Sequence, residues 1–279
     1  TESGYEESEE ERTRVGRNLP NGEGLVLVDL SDNSVHELSL DALPGIGTDP
    51  LAAMRAAQKL DPLKGNRAVR VLAEGDNSGG DTVHWSADGA HLAVMLRAVD
   101  NKDRWIATMS PAASLQLASA HRLTDPGWIN WNFNDFGWLP DNRSLWYLSE
   151  ESGWSQLYVK PAGGAAKALT SGRFEASNVQ WSPDAATAYF VCNRKWPGDY
   201  EVCAVPREGG TVRELTALDG VESYVLSPDG AHALVNWSAT YTPPQLAVVA
   251  TSGGEARKLT DTRSADFRAR EWIQPQYVQ

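Results

Sequence analysis

Four times along the chain a strand-like segment runs out into Leu-Thr: His121-Arg122-Leu123-Thr124, Lys167-Ala168-Leu169-Thr170, Arg213-Glu214-Leu215-Thr216 and Arg257-Lys258-Leu259-Thr260. A weaker Glu37-Leu38-Ser39-Leu40 stands upstream. The four leucines are 46, 46 and 44 residues apart. A fixed period of this size marks an array in which no unit buries its own faces and each must stack on its neighbours.

A second signature precedes each ending: Trp85-Ser86-Ala87-Asp88-Gly89, Trp138-Leu139-Pro140-Asp141-Asn142, Trp181-Ser182-Pro183-Asp184 and Leu226-Ser227-Pro228-Asp229-Gly230. This is turn chemistry, since Pro presets φ, Asp bonds back to the local backbone and Gly accepts positive φ. The segments after the turns, such as Ala188-Tyr189-Phe190-Val191-Cys192 and Ala233-Leu234-Val235-Asn236-Trp237, are almost continuously apolar. Such strands are expected to be covered on both faces. A third strand follows (Trp105–Met109, Gln156–Val159, Tyr200–Val205, Gln245–Val249), and in three units a Gly-Gly pair then turns the chain into the short basic segment that ends in Leu-Thr. Charges on that last strand suit an edge that must not recruit another chain. Four antiparallel strands per period predict an all-β β-propeller: an arc of about four to five four-stranded blades with one short helical insertion.

The expected organisation is an acidic leader over 1–23, blades over 24–260 and a connection over 261–279. Leu25 to Leu40 reads as the last two strands of a blade, with Asp32-Asn33 at the hairpin. The helical insertion lies at about 48–60, where Thr48 or Asp49 can cap a helix from Pro50 to Lys59 whose apolar face packs on the rim. The repeat-equivalent Trp side chains are read as scaffold, and the tail with Trp272 and Pro275 as a link to something beyond.

The net charge is -12, and six Glu and one Arg crowd into residues 1 to 12, a solvated or disordered end by composition. Without a face of clustered Lys and Arg, the pattern argues against a nucleic-acid partner. No apolar run approaches the roughly 18 residues of a membrane span. Cys192 and Cys203 fall on consecutive strands, where they either face each other across a hairpin or remain two buried thiols. The compartment stays open, with a periplasmic or secreted parent favoured.

Hydrolytic chemistry is missing from the pattern. The nearest approaches to Gly-x-Ser-x-Gly, Gly75–Gly80 and Gly153–Leu157, have the wrong spacing for a nucleophile elbow. His36, His84, His91, His121 and His232 have no Ser, Cys or Asp partner by spacing, and His91 and His232 share one repeat position at a strand start. Phosphate loops and metal-ligand strings do not occur. The expectation is that the chain alone catalyses nothing and uses no cofactor or metal.

The strings Val99–Trp105, Ser149–Tyr158, Leu169-Thr170-Ser171-Gly172-Arg173-Phe174-Glu175 and Tyr241-Thr242-Pro243-Pro244-Gln245 resemble the propeller of dipeptidyl peptidase IV-like serine peptidases of the prolyl oligopeptidase clan, and Glu271–Pro275 is similar to the approach to the hydrolase domain. The resemblance covers about residues 15 to 279. It implies a non-catalytic propeller portion of an exopeptidase that removes dipeptides from peptide N-termini, gating access and orienting peptide substrates for a C-terminal α/β-hydrolase domain beyond Gln279. The glutamate pair that holds the substrate amine in that family is not carried over to Glu6-Glu7 or Glu9-Glu10-Glu11, because Arg12 to Gly24 contains no following turn; the reading places the pair upstream. One position does carry over: an aromatic residue three before the turn Asp borders the substrate cleft, which here is Trp138. Trp138 is also simply the scaffold Trp of its unit, like Trp85 and Trp181. The alternative for the whole chain is a free-standing propeller that binds a protein partner.

Overall fold

The structure is a computed structural model and describes residues 22–71, 83–130 and 132–273. The acidic leader up to Asn21, the Gly75–Gly80 string and Pro275 lie outside the described residues. The chain forms two compact units, the first holding the described residues 22–71 and 83–130 and the second 132–273.

In the first unit a hairpin of β1 (Val26–Asp29) and β2 (Ser34–Glu37) precedes α1 (Ala52–Ala57), β3 (Val69–Val71), β4 (Val83–Trp85), β5 (Leu92–Ala98), β6 (Asp103–Ser110) and β7 (Ser114–Thr124). The turn sits at Asp32-Asn33 as expected, with Asn33 at φ 58°. β3 and β4 share one edge of β5: Val69–Val71 pair with Leu96–Ala98, and Val83–Trp85 with Leu92–Val94. The first strand of this sheet is thus in two pieces, and β3 had no sequence signal. The outer strand β7 differs from expectation as well, with 11 residues instead of a short segment.

The insertion also packs differently from its sequence reading. α1 is shorter than expected and buries no residue, so Met54 is 58% exposed. Asp49 does not cap the helix; it accepts from the Leu51 N–H at 2.9 Å and holds Arg55 at 2.8 Å. Leu43 and Ile46, ahead of the helix, enter the core instead. Trp105 Nε1 donates to Pro44 O at 3.0 Å, and Arg67, over the Trp105 ring, bridges Asp100 and Asp103.

The second unit holds three four-stranded antiparallel sheets in chain order. They are β8 (Phe136–Trp138), β9 (Leu145–Ser149), β10 (Gln156–Lys160) and β11 (Lys167–Ala168); β12 (Ala176–Trp181), β13 (Thr187–Trp196), β14 (Asp199–Pro206) and β15 (Arg213–Glu214); and β16 (Val221–Leu226), β17 (His232–Ala239), β18 (Thr242–Ala250) and β19 (Arg257–Lys258). The two-residue strands β11, β15 and β19 are the charged edges. A helix α2 (Ala265–Arg268) follows, capped by Ser264. Trp272 then folds back onto Phe267 and Tyr241.

Stacking follows from the two-residue period of a strand. In the middle sheet, Ala188, Phe190, Cys192, Cys203 and Val205 point into a core shared with Leu148, Leu157 and Val159. Their neighbours Tyr189, Val191, Val202 and Ala204 point into the opposite core, with Val235, Trp237 and Val249. Cys192 and Cys203 are joined as a disulfide inside the first of these cores. For the last sheet the two-faced burial expected of Ala233–Trp237 is wrong. Leu234 is 45% and Val225 62% exposed, because only the face toward β12–β15 is covered among the described residues.

Both sequence signatures have a hydrogen-bond reason. At each Ser-x-Asp turn the Ser hydroxyl donates to the Asp carboxylate (Ser86 to Asp88 2.6 Å, Ser182 to Asp184 2.6 Å, Ser227 to Asp229 2.5 Å) and accepts an N–H five residues on. Leu139 replaces Ser in the β8–β9 turn, so Asp141 accepts from the Arg143 and Ser144 N–H groups without a Ser hydroxyl and pairs with Arg207 instead. At the three Leu-Thr endings of the second unit the leucine N–H bonds to a third-strand carbonyl, and the threonine Oγ1 accepts the N–H of that same residue, at 2.9 Å for Leu157, Val202 and Leu246. The threonine thus carries the ladder one bond past a two-residue strand.

The residue just before each of those three is polar and ties down the connector to the next sheet. Gln156 donates to Gly172 O and Phe174 O, Glu201 accepts from the Leu218 N–H, and Gln245 accepts from the Thr262 N–H. Gln156→Ala should cost about 1–3 kcal/mol, because two carbonyls lose their donor inside the protein; urea unfolding measures it. Gly230 and Gly89 both sit at positive φ, but a Cβ at Gly230 would meet Pro183 Cδ at 2.6 Å while one at Gly89 meets nothing within 4 Å. Gly89→Ala should therefore cost about 1 kcal/mol and Gly230→Ala about 2–4, the difference being the contact between adjacent turns.

Candidate functional site

The connector between β11 and β12 is where side chains of opposite charge gather in the second unit. Ser171, Gly172, Arg173 and Phe174 from this connector, Arg194 and Lys195 near the end of β13, and Glu214 on β15 enclose an open cleft of about 450 Å³. The backbone of the connector is held from beneath by the buried amide of Gln156, as above. Gly172, at φ 130°, adopts a conformation that a side chain would strain, and the chain turns there so that Phe174 enters the core.

Phe174 forms the apolar wall, and the Arg194 guanidinium lies over its ring at 5.7 Å. Glu214 is shared between Arg194 at 3.7 Å and Lys195 at 3.2 Å. Lys195 also reaches Glu201 at 3.4 Å, and Arg194 donates to Val212 O. Arg173 is exposed on the rim. Three cations against one carboxylate leave the cleft positive in a chain that is acidic overall. That balance suits an anionic group on a ligand, with the phenyl wall taking an apolar neighbour. Among the described residues no group of His, Cys, Asp and Glu could hold a metal ion.

Trp138, the one site residue expected from sequence, lies half-buried at the end of β8, opposite Leu145, and does not line this cleft. Its repeat partners differ: Trp181 packs on the core, whereas Trp85 is 48% exposed and joins no core cluster among the described residues, so a common scaffold role for the repeat Trp does not hold there. Trp105, not at a repeat turn, is the fully buried Trp among the described residues. Two His residues prove to have Ser neighbours that spacing did not reveal: His91 Nδ1 lies 2.6 Å from Ser110 Oγ, and His36 Nε2 lies 3.0 Å from Ser34 Oγ. Both contacts sit at ends of paired strands, with neither Ser on a strand-to-helix elbow.

The cleft residues escaped the sequence reading because Phe174, Arg194 and Glu214 are about twenty residues apart in sequence. Only the antiparallel register of β13, β14 and β15 brings them together. One signal was available, namely the polar residue near the start of each third strand of the second unit, Gln156, Glu201 and Gln245.

The sequence matches the family model described as "Dipeptidyl peptidase IV (DPP IV) N-terminal region" over residues 73–244, more than half of the chain. The fold is similar to that of dipeptidyl peptidase 4 from Porphyromonas gingivalis, at a TM-score of 0.62 and 17% identity, over 88% of this chain and 30% of that one. It is also similar to a putative dipeptidyl aminopeptidase IV from Bacteroides ovatus, at a TM-score of 0.59 and 12% identity, over 85% of this chain and 32% of that one. The chain therefore spans about a third of the length of these structures, and the likeness speaks for the fold. Stacked four-stranded sheets, a match over residues 73–244 and a shared fold converge on one statement: the chain is part of a β-propeller and belongs to the dipeptidyl peptidase IV N-terminal region family.

Proposed function

We propose that the chain acts as the propeller portion of a serine exopeptidase that removes dipeptides from peptide N-termini. In this reading the propeller excludes folded proteins and orients peptides, and an α/β-hydrolase domain that follows in the parent supplies the nucleophile. The family match over residues 73–244 is the observation that carries it. The 261–279 segment would lead toward the hydrolase domain, and blades would occupy 24–260. The disulfide Cys192–Cys203 favours a periplasmic or secreted parent, where thiols are oxidised.

Within this reading Trp138 borders the substrate cleft. Its half-exposed ring offers a stacking or apolar surface to a peptide side chain. Purified chain should show no turnover of Ala-Pro or Gly-Pro reporters; inhibitor-sensitive hydrolysis would place a nucleophile inside it and overturn the division of labour. In the parent enzyme, Trp138→Ala should shift the relative kcat/KM among dipeptidyl reporters by about 10-fold, the scale of one lost apolar pocket contact. Unchanged selectivity would reject the cleft role.

A further inference from the structure

The joint between the β12–β15 and β16–β19 sheets contains a pair of acids with no counterpart at the preceding joint. Glu201 of β14 stands in the position that Gln156 takes in β10 and Gln245 in β18, one residue before the partner of the Leu-Thr ending. Six residues after the Leu-Thr threonine, where β12 has Ala176, β16 has Glu222. Both residues are 3% exposed. Glu222 Oε2 accepts from the Val202 N–H at 3.0 Å and from Thr216 Oγ1 at 2.7 Å, while its Oε1 is buried without a hydrogen-bond partner.

Charged groups around the pair are few. From β13, Lys195 reaches Glu201 at 3.4 Å and is itself shared with Glu214 of β15. Arg194, on the same strand, also turns to Glu214. From the connector, Glu201 accepts only the Leu218 N–H. Across the ladder from Glu222 stands Trp237 of β17, with Lys258 of β19 over the far ring at 4.9 Å. One half-exposed ammonium, shared between Glu201 and Glu214, cannot balance two buried charges.

We propose that Glu201 and Glu222 form a shared-proton site: one proton held between them locks this joint, and its departure loosens the packing of the two sheets. An amide does the equivalent work at Gln156 and Gln245, where no proton is needed. At this joint the missing donor is a carboxylic O–H. Burial above all pushes the Glu222 carboxyl up to about 8, and the negative charge of Glu201 adds to the rise. A free Glu releases its proton near 4.5, so the folded chain holds a proton that the unfolded chain has lost throughout the interval up to about 8. The stabilisation is full below the lower value, falls as pH rises through the interval and is gone above it. Lys195 links the pair to the wall of the cleft, so proton loss alters the field at that site too.

Thermal unfolding of the chain from pH 5 to 9, beside Glu222→Gln and Glu201→Gln, tests the site. The wild-type Tm should fall between pH 5 and 8 relative to Glu222→Gln, and Glu201→Gln, which keeps the buried Glu222 but removes its acidic neighbour, should show a smaller fall than wild type. Glu222→Gln should match wild type near pH 5 and melt higher at pH 8.5, since its amide supplies the donor at any pH. Parallel curves for wild type and Glu222→Gln would overturn the proposal. If a variant fails to fold, carbon-13 NMR of the glutamate side chains in the wild-type chain decides: titration of Glu222 near pH 8 supports the shared proton, and titration below pH 5 rejects it.

Discussion

A four-stranded sheet is one layer thick, so any apolar strand in it exposes a face unless another sheet covers it. This constraint organises the second unit. In β13 and β14, consecutive residues are dealt alternately to two cores: Phe190 and Cys203 go to one, Val191 and Val202 to the other. A slip of one residue would exchange the two sets. The alternation is therefore held by both neighbouring sheets at once. β17 shows the same strand chemistry with a single neighbour, and there Leu234 is left in the open while Val235 is buried.

In the second unit, packing alone would leave the backbone of the third strands short of partners, because the outer strands there are only two residues long. The Leu-Thr ending resolves this with one N–H and one hydroxyl directed at the same third-strand residue, and the Ser-x-Asp turn does the equivalent at the other end of the sheet. Such fixed polar contacts can repeat along a chain because they are local. The polar residue near the start of each third strand of the second unit is the exception, since it reaches the connector that follows the sheet. Gln156, Glu201 and Gln245 occupy one position and meet different surroundings, and at Glu201 the surroundings include a second acid. The cationic cleft grows from the same place, with Gln156 holding its floor and Lys195 joining its wall to Glu201.

Much of the architecture was legible from residue order. The four strand positions per repeat, the Asp32-Asn33 hairpin and the charged edges are local patterns of alternation and turn chemistry. The errors share a cause as well. α1 has good helix formers but an exposed helix is not drawn to a core by propensity, and the burial went to Leu43 and Ile46 of the preceding loop. β3 is three residues long and exists only because β5 offers it an edge. Trp85 and Trp181 look alike in sequence, yet Trp181 packs on a core while Trp85 is left half-exposed, which no periodicity distinguishes.

The sequence by itself determined the unit of construction, the beat of about 45 residues, the order of strands and the kind of turn between them, because these depend on side chains within a few positions of one another. Only the tertiary structure decided which faces are covered, that Cys192 and Cys203 are bonded, that Phe174, Arg194, Lys195 and Glu214 share a cleft, and that Glu201 meets Glu222. Those outcomes depend on cross-strand register and on how one sheet lies against the next, and the burial and charge balance of a residue come from neighbours that the chain order does not name.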